Sequence, residues 1–342
     1  MNGKGGHVGR VSRAPLSRTE RLLIYALALG CVAAVEVAGG EPDERPAELR
    51  LQLAAGQTLR YGWAIESASD SKGQELGKPL DLRTQRSMRM AVVLEGAQPP
   101  QGETGLAAAL RFENVALQEN RIIGDAARSV LRVDRQDIQF TENNRVLIDT
   151  RNDVGVEKIS PYQRALRGLE RSAARLLLDA AGRQTRVEGD RLLLEAAHAG
   201  QAAGLFPALA GAAAKPGAAW EGQFEIPSLA DVRLERPALV RTRTTFAKWD
   251  RRDGRDVVLL DMLAAWESRD LEGRDAAGLT VRLTRLEGQG AGSYSFDPRA
   301  GCFVEGVMTF RLRYRLEGER QAESTALDVS GRGRFSFRLE KQ

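Results

Sequence analysis

The sequence predicts a mainly β protein, α+β in detail: two antiparallel, curved β-sheet lobes with a small helical segment between them. Three observations carry this expectation. Apolar and polar residues alternate over many short runs, the signature of strands with one wet face. Turn-forming pairs such as Asn143-Asn144 and Asp253-Gly254 separate those runs. Only two stretches, near residues 161–170 and 190–198, switch to helical spacing.

The order of elements starts with a segment of a different kind. Residues 1–21 are rich in Gly, Ser and Arg and lead into an apolar run from Leu22 to Val35. A positive flank, an apolar stretch and then small residues make the pattern of a secretory signal, which puts the chain from Glu41 onward outside the cytoplasm. Val32-Ala33-Ala34 and Ala38-Gly39-Gly40 both offer small residues for cleavage. Ala28-Leu29-Gly30-Cys31 is similar to a bacterial lipobox and makes Cys31 a candidate lipid attachment site, although the residues at 28, 29 and after Cys31 depart from that pattern. If nothing cuts, Leu22 to Ala38 is 17 residues long, the short end of what spans a bilayer. Residues 1–40 are therefore a signal peptide or a single-span anchor, and Cys302 has no internal disulfide partner.

In the first lobe, residues 41–198, Leu59, Tyr61, Trp63 and Ile65 alternate with polar or small residues. Further strands are expected at Met88 to Leu94, Leu106 to Leu117, Val130 to Val133, Ile138 to Thr141 and Arg145 to Asp149. Ser160-Pro161-Tyr162-Gln163 combines an N-cap Ser, Pro at the first helical position and Gln three residues on. A hairpin then turns at Ala181-Gly182, and Asp190 is placed to cap a helix through His198. Residues 199–218 are mostly Ala, Gly and Pro and form the linker. The second lobe, 219–342, holds a hairpin across Asp253-Gly254 and strands at Leu279 to Leu286, Ser293 to Phe296, Phe303 to Leu316, Thr325 to Val329 and Arg334 to Leu339. An internal duplication is suggested by Leu178-Asp179 with Gly182 and Val187-Glu188-Gly189, which parallel Phe296-Asp297 with Gly301 and Val304-Glu305-Gly306. Gly56 and Gly217 each lead a first strand.

These features resemble an uncharacterised family of secreted bacterial envelope proteins, defined as a domain of unknown function. The resemblance rests on the signal, the Gly-led first strand, the hairpin around Asp179 and Gly182, the Ala219-Trp220 strand after a Pro-Gly step, and the Phe296-Asp297 turn. It implies an envelope location and a β-rich two-part fold, with no catalytic residues to carry over. The architecture is also similar to the half-barrel sheets of periplasmic lipoprotein carriers.

Charge and chemistry narrow the function. The chain carries 50 Lys+Arg and 46 Asp+Glu, a net +4. Five cations and two anions fall in residues 1–40, so the remainder, with 45 cations and 44 anions, is close to neutral. Only seven of the basic residues are Lys. A balanced surface behind an export signal argues against nucleic acid as partner. The Arg311, Arg313, Arg315 ladder reads as a solvent face paired to cross-strand carboxylates. Beyond residue 40 the only histidine is His198, among alanines, and no nucleophile elbow, phosphate loop or zinc-hydrolase motif occurs. Asp134 with Asp137 and Asp256 with Asp261 are the carboxylate pairs available to a hydrolase, and Asp149 to Gly155 departs from a calcium loop. No cofactor and no metal are expected. The expectation is a non-enzymatic envelope protein binding an apolar or amphipathic ligand, such as a lipid, or an envelope protein partner on a concave sheet face. Inner-face candidates are Tyr61, Trp63, Met88, Met90, Phe310 and Tyr314. The alternatives are a structural or assembly module with a closed core and, third, a carboxylate-dependent hydrolase.

Overall fold

The computed structural model describes residues 43–75, 77–124, 127–159, 161–171, 173–189, 206–229, 232–274, 280–320 and 323–340. The apolar segment before residue 40, Cys31, most of the linker's first half and the expected helix at 190–198 lie outside the described residues. No helix among the described residues is long and apolar enough to cross a membrane.

The protein is mainly β. Two short strands, β1 (Ala47–Glu48) and β10 (Ala213–Ala214), pair with each other, and the other fifteen form one antiparallel sheet. Its first half holds β2 (Thr58–Glu75), β3 (Lys78–Ala97), β4 (Leu106–Ile123), β5 (Ala127–Asp134), β6 (Asp137–Glu142), β7 (Arg145–Asp149), β8 (Ala173–Leu178) and β9 (Gln184–Gly189). The second half holds β11 (Ala219–Leu229), β12 (Val232–Arg252), β13 (Arg255–Ser268), β14 (Leu271–Arg274), β15 (Thr280–Asp297), β16 (Cys302–Arg320) and β17 (Glu323–Leu339). The helix α1 (Pro161–Gly168) starts at the Pro expected for its first position and runs into a 3-10 turn at Leu169–Arg171. It lies within the first half, ahead of β8, where the spacing near residues 161–170 places it.

The two strand-rich halves are present but do not stand apart as lobes. The last strand, β17, pairs with β2 from Leu339↔Tyr61 to Ala326↔Gln74, so one sheet runs from β11 through β17 and β2 to β7. Sequence patterns are local and carry no record of this pairing.

The halves repeat one plan. The order β2-β3-β4-β8-β9 in the first matches β11-β12-β13-β15-β16 in the second, every pair antiparallel. The first-strand glycines are equivalent in detail. Gly56 N donates to Gly96 O while Gly96 N donates to Gln57 O, and Gly217 N donates to Phe246 O while Phe246 N donates to Ala218 O. Both glycines sit at φ near +80°, where a Cβ is disfavoured. The hairpin turns also match: Asp179 accepts from Arg183 N at 2.8 Å, and Asp297 accepts from Arg299 N and Ala300 N at 2.9 and 3.0 Å.

The backbone just before β2 runs between these two turns. Leu51 N donates to Ala180 O and Gln52 N to Gly301 O, while Leu49 pairs with residues 211–212. The segments 43–55 and 206–214 thereby close one end of the concave face, burying Leu49, Leu53 and Leu209. Leu166 and Leu169 close it beside β4. Inward side chains as far apart in the sheet as Ile226 on β11 and Ile138 on β6 belong to one core, which a flat sheet cannot bring about.

Glycine makes the tight part of the curve possible. β15 presents Gly288, Gly290 and Gly292 inward, and a Cβ on Gly290 would stand 2.6 Å from Met308 Cε and 3.0 Å from Trp266 Cη2. Rings and long side chains lie flat on the bare backbone there. The expected strand breaks between 286 and 293 and between 329 and 334 are absent for the same reason. Those glycines sit inside β15 and β17, with Gly290, Gly292 and Gly333 against the rings of Trp266, Tyr294 and Phe310, where they read as turns in the sequence.

Candidate functional site

The concave face separates into a sealed end and an open strip. At the sealed end, Tyr61, Trp63, Tyr294, Phe296, Phe303, Phe335 and Phe337 are all buried. Phe337 is central to them: its ring centroid lies 5.1 Å from Phe206, 5.7 Å from Tyr61 and 5.8 Å from Phe335. Phe206, from the covering segment, stacks on Phe303 at 5.1 Å. Of the six inner-face candidates, Tyr61, Trp63 and Met90 belong to this sealed core. Met88, Phe310 and Tyr314 do not; they pack against the core while remaining half-buried. The alternation identifies the right face, but the covering segments that sort the residues along it are remote in sequence.

The open strip runs toward the hairpin tips of β2–β3 and β16–β17. Ile65, Met88, Phe310, Leu312, Tyr314 and Leu327 are its half-buried apolar residues. Phe310 lies over Gly333, where a Cβ would stand 2.3 Å from Phe310 Cζ, and its ring centroid is 6.1 Å from Trp266. The indole N–H groups of Trp63 and Trp266 are buried with no hydrogen-bond acceptor among the described residues. Beside the apolar strip, the same face of β2–β4 becomes polar, with Ser67, Ser69, Thr84, Arg86, Glu119 and Arg121. Glu119 has no signal in the sequence, because the apolar alternation of that strand ends at Leu117.

The convex face is charged. Glu66, Arg83, Arg89, Arg311, Arg313, Arg332 and Arg334 are exposed there. This polarity, apolar within and charged without, is the reverse of a lipid-facing barrel. The arginine ladder is a solvent face as expected, but only part of it meets carboxylates. Arg315 pairs with Glu317 and Asp328, at 2.7 and 2.9 Å, whereas Arg311 stands opposite Arg332 in the strand register. A shallow hollow of about 460 Å³ on this face is lined by small residues, Gly62, Ala64, Ala91 and Ser336, between Arg89 and Arg338.

Several of the carboxylates singled out in the sequence stand in ion pairs and turns. Arg151 bridges Asp134 and Asp137 at 2.7 Å each, and Asp149 accepts from Arg151 N and Asn152 Nδ2. That loop is a turn stapled by its own side chains. Asp256 lies 4.0 Å from Arg45 and 3.9 Å from Arg299. No cluster of three or more potential metal ligands occurs among the described residues. His198 lies outside the described residues.

Cys302 is 2% exposed, and burial, with the nearby Asp297 charge, pushes its thiol up to about 11. The thiolate is the reactive form. Iodoacetamide at mild alkaline pH is therefore expected to leave Cys302 unlabelled in the folded protein and to label it in urea; equal labelling in both would contradict the burial. Burial likewise raises Tyr61 and Tyr294 above the ordinary phenol range. A raised folded-state pKa means stability held below about pH 10 and lost as the pH climbs through and beyond that value, because the unfolded chain releases these protons first. A phenolate absorbance titration is expected to show two tyrosines ionising only as the fold is lost.

No family model and no curated protein matches the chain. Among solved structures, lipovitellin, studied for its lipid–protein interactions, aligns with a TM-score of 0.43 and 12% identity over 85% of this chain. The chain spans only 26% of that protein's length. The translocator domain of the autotransporter NalP from Neisseria meningitidis aligns at TM-score 0.20 and 8% identity, covering 92% of this chain and 95% of that one. The β domain of the Bordetella autotransporter BrkA aligns at 0.15 and 11%, covering 83% and 100%. Scores this low carry no functional argument.

Proposed function

We propose that the protein is a non-enzymatic component of the bacterial envelope that holds an apolar or amphipathic ligand on the open strip of its concave face. The observation that carries this reading is the strip itself. Ile65, Met88, Phe310, Leu312, Tyr314 and Leu327 continue the core beyond the segments that seal it and stay partly exposed, with buried Leu316 and Val329 among them. Apolar side chains left partly exposed on a concave face beside a closed core suit a binding surface. The export pattern in residues 1–40 supports the location.

The test is organic extraction and mass spectrometry of protein purified from the envelope fraction, together with titration of a fluorescent acyl probe. Saturable probe binding that Phe310→Ala and Leu312→Ala weaken is expected. A ligand-free protein that binds no probe would count against the reading and leave the assembly module. Mass spectrometry of the mature N-terminus from membrane and soluble fractions separates cleavage, acylation at Cys31 and retention of the anchor.

A further inference from the structure

Glu119 is a charged residue where an apolar one is expected. It follows Val115 and Leu117 on the inward side of β4, and is 2% exposed. Burying a carboxylate is costly unless it is paired. Here both oxygens are taken: Arg86 Nε and Nη2 donate to Oε2 at 2.8 and 2.5 Å, and Arg121 Nε donates to Oε1 at 2.6 Å. Two arginines flank this one glutamate on a concave, partly apolar face. The arginines are not buried with it; their side chains remain 36% and 42% exposed. Glu119 thus fixes two guanidinium groups that still reach solvent.

Their position relative to the apolar strip is set by the strand register. Gly333, Ser67, Arg86 and Glu119 lie in one row across β17, β2, β3 and β4. Arg86 is two strand spacings, roughly 10 Å, from Gly333, which carries the Phe310 ring. The residues between are small and half-buried, and Ser69 and Thr84 extend the hydroxyl-lined floor in the next row.

We propose that the strip selects single-chain amphiphiles with an anionic head. Arg86 and Arg121 hold the head, Ser67 and Gly333 lie under the first methylenes, and the tail covers Phe310 and Leu312. The proposal rests on the strip's being a ligand site and adds the sign of the head group. Arginine suits a carboxylate or phosphate oxygen pair because its donors are fixed in a fork.

The experiment compares a long-chain fatty acid bearing an anthroyloxy fluorophore with its methyl ester, on the full exported chain. The acid is expected to bind about 10-fold more tightly than the ester, as for a hydrogen bond to a charged group. In the Arg86→Gln/Arg121→Gln variant the ratio is expected to fall to near one with ester affinity unchanged; Arg86→Lys/Arg121→Lys retains part of it. If circular dichroism shows the double variant unfolded, Arg121→Gln alone, which leaves Glu119 paired to Arg86, gives the same comparison at half strength. Equal affinity for acid and ester in the unaltered protein overturns the head-group assignment and leaves ligand binding standing. Selectivity that survives loss of both arginines overturns the residues assigned. Failure to bind either probe removes the ligand reading and this inference together.

Discussion

Phe337→Ala is expected to lower the unfolding free energy by about 3–5 kcal/mol, the cost of emptying a large buried site. Phe337 is 3% exposed and contacts Tyr61, Trp63, Phe206, Tyr294, Phe303 and Phe335. Those rings belong to β2, β15, β16, β17 and the covering segment, so no one of them can move in to fill the space without loosening another. Edge-to-face pairs lost with the ring, each worth about 0.5–1.5 kcal/mol, hold the figure toward the upper end. Against a typical total of about 5–15 kcal/mol, a single truncation removes a large share. Urea unfolding followed by tryptophan fluorescence checks it, since Trp63 is in the cluster. A loss below about 1 kcal/mol would mean that the aromatic core is not the main seal of the concave face.

A second large effect is expected from Gly301→Ala, set against Gly182→Ala at the equivalent turn of the other half. Gly301 sits at φ +63° and Gly182 at φ +75°, so both substitutions force an L-residue into the left-handed region at about 1–2 kcal/mol. They differ in what the new methyl meets. At Gly301 it falls 2.4 Å from Gln52 Cβ and 2.9 Å from Gln52 N, whereas at Gly182 the nearest atom is Leu51 Cδ2 at 3.7 Å. Gly301→Ala therefore also displaces the backbone that donates from Gln52 N to Gly301 O at 2.7 Å. Its total cost is roughly 2–5 kcal/mol, adding the overpacking range. Thermal unfolding of the two variants side by side reads the difference, and equal losses would show that the turns do not clamp the segment unequally.

The sequence and the structure agree where the physics is local. Alternation in Leu59 to Ile65, in Phe303 to Leu316 and around Asp253-Gly254 produces β2, β16 and the β12–β13 hairpin because each strand's two faces see different solvents. The Asp-turn-Gly parallels between the halves are legible because a left-handed position and a capping carboxylate restrict residue choice. The outer half of β2, Ser67 to Glu75, is not legible, since it has no apolar face to alternate. Nor is the closure of β17 on β2, which leaves no short-range pattern. The site is legible to the same degree. The correct face can be named, but what stays open depends on where residues 43–55 and 206–214 cross it. Glu119 and Arg121 are hidden because charges at inward positions look like the end of a strand.

The pairing of β17 with β2 has a consequence for how the chain acquires its structure. The two strands come from nearly opposite ends of the described chain, yet they form a ladder of fourteen residue pairs at the middle of the sheet. Such a contact closes a very long loop and forms slowly compared with the neighbouring hairpins. A polypeptide emerging N-terminus first therefore holds β2 as a bare edge, with Tyr61 and Trp63 uncovered, until its final strand arrives. During that interval it is a ready partner for any other extended chain. A holdase suits a chain in which β2 waits for β17.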